Sequence, residues 1–333
     1  MHPIANSDIK EPSVGLRGVA AVLPPLRLDL QELAGRGLLS SPPQTLFDLG
    51  FRQAYVADTK HDAGWLALQA AKKALADAAL GPEEMDVVIW ASALGQNHLR
   101  DGPSSEVDSS VDNPLLRQFR YAGGWLQDQL GLDRAQMLAV AQQGCVSMFS
   151  ALRLARSLLL AEPHLLHVLC VGVDVLPAEA RREIMYNLIS DAGCAVVVSR
   201  DCPRDRWVGY HQISRGYYWD PLARRPEILA AYFPTSRLVI QELLAQHHLT
   251  PSDIDVMVPT GVNRPSWEIL LNLVGISSQR LYQEMESFGH TIMADSFLLL
   301  EDLRRRNRVA SGSRLLLFSY GFGSSWSALL LEH

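Results

Sequence analysis

The feature that most constrains this chain is a repeat inside it. An amphipathic stretch with Leu68, Ala71, Leu75 and Ala78 on one face runs into Leu80-Gly-Pro-Glu-Glu-Met-Asp-Val-Val-Ile-Trp-Ala91. A second, with Val239, Ile240, Leu243 and Leu244 on one face, runs into Leu249-Thr-Pro-Ser-Asp-Ile-Asp-Val-Met-Val-Pro-Thr260. Both read as helix, Leu-x-Pro turn, Asp-Val and an apolar strand. The units then continue in parallel. The first leads to Gly144-Cys145 and an apolar helical run through Met148, Phe149 and Leu152. The second leads to Gly289-His290 and a run through Met293, Phe297, Leu300 and Leu303. An apolar strand follows each run, at 166–173 and 315–319. One supersecondary unit used twice predicts two similar halves. Alternating strands and helices predict an α/β fold with a mostly parallel sheet in each half.

The expected halves are residues 1–204 and 205–333, with 95–125 inserted in the first. That insert is polar, contains Gly and Ser, and reads as a cap, a dimer contact or an ordinary insertion. Further strands are expected at 16–23, 87–92 and 195–199, a turn and strand at 46–55, and a short buried strand at 137–141. If the halves are related by a pseudo-twofold axis, the Cys145 and His290 segments occupy equivalent places. A thiol and an imidazole would then meet, as nucleophilic catalysis requires. Alone, Cys145 reads more readily as a small packed hydrophobe, and the repeat is what shifts the reading toward a nucleophile. Its position at the start of a helix is one where free N–H groups favour an anion.

Composition excludes several alternatives. Nearly half the chain (48%) is hydrophobic, so a large core is available, and the net charge of −6 comes from interspersed signs. There is no basic stripe, so neither nucleic acid nor an anionic membrane is an expected partner. Four widely spaced cysteines fit neither a disulfide framework nor a zinc pattern, and no histidine has metal-ligand spacing. No metal is expected. The N-terminus does not read as a signal peptide, and no apolar run is expected to span a bilayer, which makes a reducing cytoplasm the expected location.

Five short motifs in order make the chain resemble the thiolase superfamily, most closely its ketoacyl-acyl-carrier-protein synthase III branch. Asp48-Leu-Gly-Phe-Arg-Gln53 resembles the family's early Gly-Ile-Arg segment, and Gly144-Cys145 its nucleophile turn. Asp191-Ala-Gly-Cys-Ala195 resembles its Asp-Gly-Ala-Gly-Ala, and Gly289-His-Thr291 its Gly-Asn-Thr. Ser319-Tyr-Gly-Phe-Gly-Ser-Ser-Trp326 resembles its terminal Gly-Phe-Gly-Gly-Gly loop. The likeness covers most of residues 45–333. It implies a five-layered αβαβα fold of two pseudo-symmetric halves and a homodimer. It also implies acyl transfer from coenzyme A or an acyl carrier protein onto Cys145, the thioester being a substrate rather than a resident cofactor. The N–H groups of Cys145 and Gly323 would form the oxyanion hole. Gly321, Ser324 and Asn263 would contact substrate.

The departures decide the expected chemistry. A condensing enzyme of this branch carries Pro-His-Gln-Ala-Asn, where this chain reads Pro259-Thr-Gly-Val-Asn263, and Gly-Asn-Thr, where it reads Gly289-His-Thr291. The His/Asn pair that serves decarboxylation is thus replaced by Thr260 and His290. The site resembles the ester-forming offshoot of natural-product pathways: Cys145 takes the acyl group and His290 deprotonates a hydroxyl or amine acceptor. Asp295 either orients His290 or hydrogen-bonds within the core; Asp253 and Asp255 are weaker candidates. The alternatives are a modified carbon–carbon condensing enzyme and a non-catalytic partner subunit.

Overall fold

The structure, a computed structural model, describes residues 12–94, 119–322 and 325–333. Most of the expected insert, 95–118, lies outside the described residues, as do Gly323 and Ser324. In chain order the strands are β1 (Val14–Val22), β2 (Arg27–Asp29), β3 (Gln53–Tyr55), β4 (Val87–Ala91), β5 (Gln136–Val140), β6 (His167–Asp174) and β7 (Glu183–Ile184). They continue as β8 (Asn187–Leu188), β9 (Ala192–Arg200), β10 (Arg206–Ser214), β11 (Val256–Val258), β12 (Arg314–Gly321) and β13 (Ser325–Glu332).

Nine strands form one sheet in the order β11-β12-β13-β10-β1-β9-β6-β4-β5. Its two parts meet where Gly15 of β1 pairs with Arg206 of β10. Parallel pairing is confined to β5-β4-β6 and β11-β12; the remaining neighbours are antiparallel. The expectation of a mostly parallel sheet is corrected here. Only three residues of sequence separate β12 from β13, and β6 reaches β9 without a crossover helix, spacings that suit antiparallel neighbours.

The layers follow from the two-residue period of the strands. Val87, Ile89 and Ala91 of β4 enter one apolar cluster, while Val88 and Trp90 enter another. On β12, Leu315 and Leu317 enter that first cluster, and Leu316 and Phe318 a third. The shared cluster encloses the helices Ser147–Ala161 and Asp295–Arg305, whose Phe149 and Phe297 rings lie 5.9 Å apart. The helices Ala63–Ala78 and Ala122–Leu130 cover one outer face, and Arg225–Gln246 and Arg264–Val274 the other. The result is helix, sheet, helix, sheet, helix, as the resemblance implies. The repeated turn recurs in detail. A 3₁₀ turn precedes β4 (Pro82–Glu84) and another precedes β11 (Pro251–Asp253). In each, the N–H before the proline donates at 2.7 Å to a carboxylate three residues on, Gly81 to Glu84 and Thr250 to Asp253.

Three local expectations change. The 137–141 strand exists as β5 but is largely exposed, because among the described residues it is the sheet edge, with β4 alone beside it. Residues 46–48 belong to the helix Pro43–Asp48, which Pro43 opens at a position where a missing N–H costs nothing. The stretch Gly144–Ala161 is long and apolar enough by length and composition to cross a bilayer, contrary to expectation. Its apolar character has another cause here: it lies between the two parts of the sheet and is covered from both sides.

Candidate active site

The thiol sits on a turn that only glycines permit. Gly144–Val146 form a 3₁₀ turn ahead of the helix Ser147–Ala161. Gly144 has φ +55°, and a Cβ there would stand 2.3 Å from the Phe322 carbonyl oxygen. A Cβ on Gly321 would stand 2.1 Å from the Gln143 carbonyl oxygen. The two glycines therefore let loops from the two halves of the chain touch backbone to backbone. Within the turn, the Val146 N–H donates to the Gln143 carbonyl at 3.2 Å, so the Cys145 N–H precedes the turn's own bonding.

His290 is held by the other half of the chain. Its N–H donates to the Leu188 carbonyl at 2.7 Å, and the Ser190 N–H donates to the His290 carbonyl at 2.8 Å. Gly289 before it adopts φ 70°, ψ −151°, a conformation essentially confined to glycine. His290 lies in the loop before the helix Asp295–Arg305 rather than on it, and Asp295 is that helix's first residue.

These placements bring three expected residues together. Cys145 Sγ lies 3.7 Å from His290 Nε2, and His290 Nδ1 lies 2.6 Å from Asp295 Oδ2. Asp295 also accepts from the Thr260 hydroxyl (3.0 Å), the Gly261 N–H (2.7 Å), the Thr291 N–H (2.6 Å) and the Thr291 hydroxyl (2.8 Å). A carboxylate only 1% exposed is kept charged by this set of donors. Burial disfavours charge on both members of the pair, but their mutual attraction outweighs it. His290 is raised well above the usual imidazole range and Asp295 held below the usual carboxylate range.

The remaining candidates separate. Thr260 turns its hydroxyl to Asp295 and does not line the cavity in front of Cys145. Asn263 lines that cavity but spends its side-chain oxygen capping the helix Arg264–Val274. Asp253 closes its 3₁₀ turn and Asp255 accepts from the Arg314 N–H at 2.8 Å, so neither reaches His290. Gly321 serves the close backbone approach described above, while Gly323 and Ser324 lie outside the described residues.

Cys145 and His290 open onto an apolar cavity of about 270 Å³. Its walls come from the β7–β8 hairpin (Ile184, Met185), the helix Arg225–Gln246 (Ile228, Leu229, Tyr232, Phe233) and Tyr320. Sequence reasoning missed these walls. The signal was present: 228, 229, 232 and 233 form two adjacent i,i+4 stripes, but Pro234, which stands inside the continuous helix Arg225–Gln246, reads in sequence as a helix end and masks it. Asp174, buried and pushed up to about 7 by that burial, accepts from the N–H groups of Ala93 and Leu94, both cavity residues.

Known proteins share this fold and part of this sequence. Residues 244–333 match the family 3-oxoacyl-[acyl-carrier-protein] synthase III, C terminal. A β-ketoacyl-[acyl-carrier-protein] synthase III of Nitratidesulfovibrio vulgaris strain DP4 is 25% identical over 312 residues, covering 85% of this chain and 88% of that one. The structure of the Aquifex aeolicus VF5 3-oxoacyl-[acyl-carrier-protein] synthase III superposes with a TM-score of 0.80 at 20% identity, over 96% of this chain and 100% of that one. The structure of the acyltransferase ChlB3 gives 0.79 at 20% identity, over 96% and 98%. Residues 244–333 thus carry the synthase III C-terminal match, and the fold of the chain is that of the 3-oxoacyl-[acyl-carrier-protein] synthase III structure.

Proposed function

We propose that this protein is an acyltransferase that loads an acyl group from acyl-CoA or an acyl carrier protein onto Cys145 and passes it to a small-molecule hydroxyl or amine. One observation carries the reading: the imidazole facing the thiol is held by a buried carboxylate, His290 Nδ1 to Asp295 Oδ2 at 2.6 Å. An imidazole oriented in this way is built to move protons. Cys145 Sγ attacks the thioester carbonyl while its proton passes to His290 Nε2. The tetrahedral oxyanion meets the Cys145 N–H, and Gly323 is the second donor in this reading. As the carbonyl re-forms, the donor's C–S bond breaks and its thiolate takes the proton from His290. The neutral imidazole then takes the acceptor's proton as its oxygen or nitrogen attacks the acyl carbonyl. The Cys145 C–S bond breaks, and the thiol recovers its proton from His290.

The second reading, carbon–carbon condensation, is favoured by the name of the Nitratidesulfovibrio relative. Against it stands Thr260, whose hydroxyl is engaged by Asp295. A non-catalytic partner subunit would have no use for the thiol–imidazole–carboxylate line. The deciding experiment offers an acyl thioester together with labelled malonyl thioester, with and without an alcohol. Acylated Cys145 and an ester without carbon dioxide release are expected; carbon dioxide with a C–C product would establish condensation instead.

A homodimer belongs to the same proposal. Among the described residues no strand pairs with the outer edge of β5, where Leu138 is 36% exposed, and a second copy can extend the sheet there. Sedimentation should show a dimer that Leu138→Lys weakens; a monomeric parent protein would remove the idea. All four cysteines are free thiols, which suits the reducing cytoplasm that this reading assumes.

A further inference from the structure

The turn that carries the thiol is strained, and side chains outside the cavity hold it. Gln142 has φ +66°, in the left-handed region that a residue with a side chain rarely enters. Gln143 follows, and its carbonyl accepts from the Val146 N–H at 3.2 Å, the bond that closes the turn around Cys145. A backbone in such a conformation persists only where its surroundings fix it. Here the Gln143 side chain is the anchor. Its Oε1 accepts from the Gln212 amide at 2.7 Å and from the Ser150 hydroxyl at 3.0 Å. Gln212 is half-buried on β10, and both ends of its amide are in use. Its Oε1 accepts from the Tyr210 hydroxyl, and its amide nitrogen also donates to Ser214 Oγ at 3.1 Å. Ser214 Oγ lies 2.8 Å from Ser325 Oγ, and Ser325 pairs with Gly321, the residue pressed against the Gln143 carbonyl. These bonds close a ring around the contact between the nucleophile turn and the end of β12. None of the side chains in the ring lines the cavity.

We propose that Gln212 is a positioning residue for acylation: through Gln143 it fixes the turn so that the Cys145 N–H is aimed at the thioester oxygen as that oxygen gains charge. The inference rests on the reading of Cys145 as the acyl carrier. Donors that stabilise a developing oxyanion act only when held in place beforehand, and a misplacement of about 1 Å can cost about a hundredfold in rate. Gln212 touches neither the thiol nor the cavity, so its loss is felt in the reaction step and not in binding.

The test uses acetyl-, butyryl- and octanoyl-pantetheine, whose arm is common to coenzyme A and carrier-protein donors. Cys145 acylation is followed by intact mass over a range of thioester concentration, for the parent and for Gln212→Leu. The limiting rate is expected to fall about tenfold or more in the variant, with half-saturation unchanged. The carbonyl stretch of isotope-labelled acyl-Cys145 is expected to move to higher frequency, since a mis-aimed N–H polarises that bond less. Loss of a hydrogen bond that served folding alone would change neither. Gln143→Leu should behave alike, and the double variant should be no slower than either single one, because both changes remove the same bond. An unchanged limiting rate, an unmoved carbonyl stretch, or losses that add in the double variant each overturn the inference, while acylation of the parent leaves the acyl-carrier reading standing. A parent that forms no adduct with any of the three thioesters overturns both. Should Gln212→Leu fail to fold, Gln143→Leu gives the same two measurements.

Discussion

Asp295 reaches back five positions from the first residue of its helix to hold His290 Nδ1 at 2.6 Å, and so turns Nε2 toward Cys145 Sγ. The contact fixes the imidazole and sets its protonation. It also explains why an aspartate stands among apolar neighbours such as Met293, Phe297 and Leu300.

Asp295→Asn tests that relationship through pH. The transfer step needs a neutral His290, so its rate should climb as pH rises through the raised pKa of that group. Without the Asp295 charge the climb should move to lower pH and the plateau should fall by roughly 10²–10⁴-fold. Stability follows the same group. A raised folded-state pKa contributes stability that is full below the ordinary histidine value and is lost as pH rises through the raised one. Single-turnover transfer from pre-acylated protein measures the rate, and an unmoved pH limb would mean that Asp295 does not govern His290.

Thr260 gives a second test. Thr260→Ala removes one donor of several on Asp295, so a loss of about 1 kcal/mol in stability is expected. Transfer should slow only a few-fold. A hundredfold loss would place the hydroxyl in contact with the reacting atoms. Thr260→His should not restore condensing chemistry, because this side chain is 1% exposed and faces Asp295. A larger ring there should cost about 1–3 kcal/mol, read from denaturant midpoints.

The nucleophile turn makes a third prediction. Gly144→Ala places a Cβ against the Phe322 carbonyl at a positive φ, and Gly321→Ala places one against that of Gln143. Each should destabilise by about 1–3 kcal/mol or more. Gly216→Ala, with open space around its Cβ, should stay within about 0.5 kcal/mol. Equal midpoints for all three variants would mean that the backbone contact is not tight.

The parts of the molecule legible in sequence were those governed by local periodicity. The strands β4, β6 and β9 are short continuous apolar runs, the helices that precede the repeated Leu-x-Pro turns carry an apolar face, and all lie where those patterns put them. Cys145 and His290 were legible because each follows a glycine at an equivalent point of the repeat. The bond from His290 to Asp295 was left open, since spacing alone does not say whether a side chain five residues on turns inward. The exposure of β5 was hidden because an edge strand of apolar composition reads like a buried one. The role of Thr260 was hidden because position in a motif does not give side-chain direction; its hydroxyl completes the carboxylate rather than facing the thiol.

The clasp between the halves is reciprocal. Phe322, from the second half, bounds the turn that carries the thiol, while Leu188 and Ser190, from the first, fix the backbone of the base. Since synthesis runs from the first half to the second, the nascent chain exposes its sulfur long before the imidazole and the bounding loop exist. The thiol–imidazole–carboxylate line is therefore the last feature of the molecule to be assembled, since two of its three members belong to the part made last.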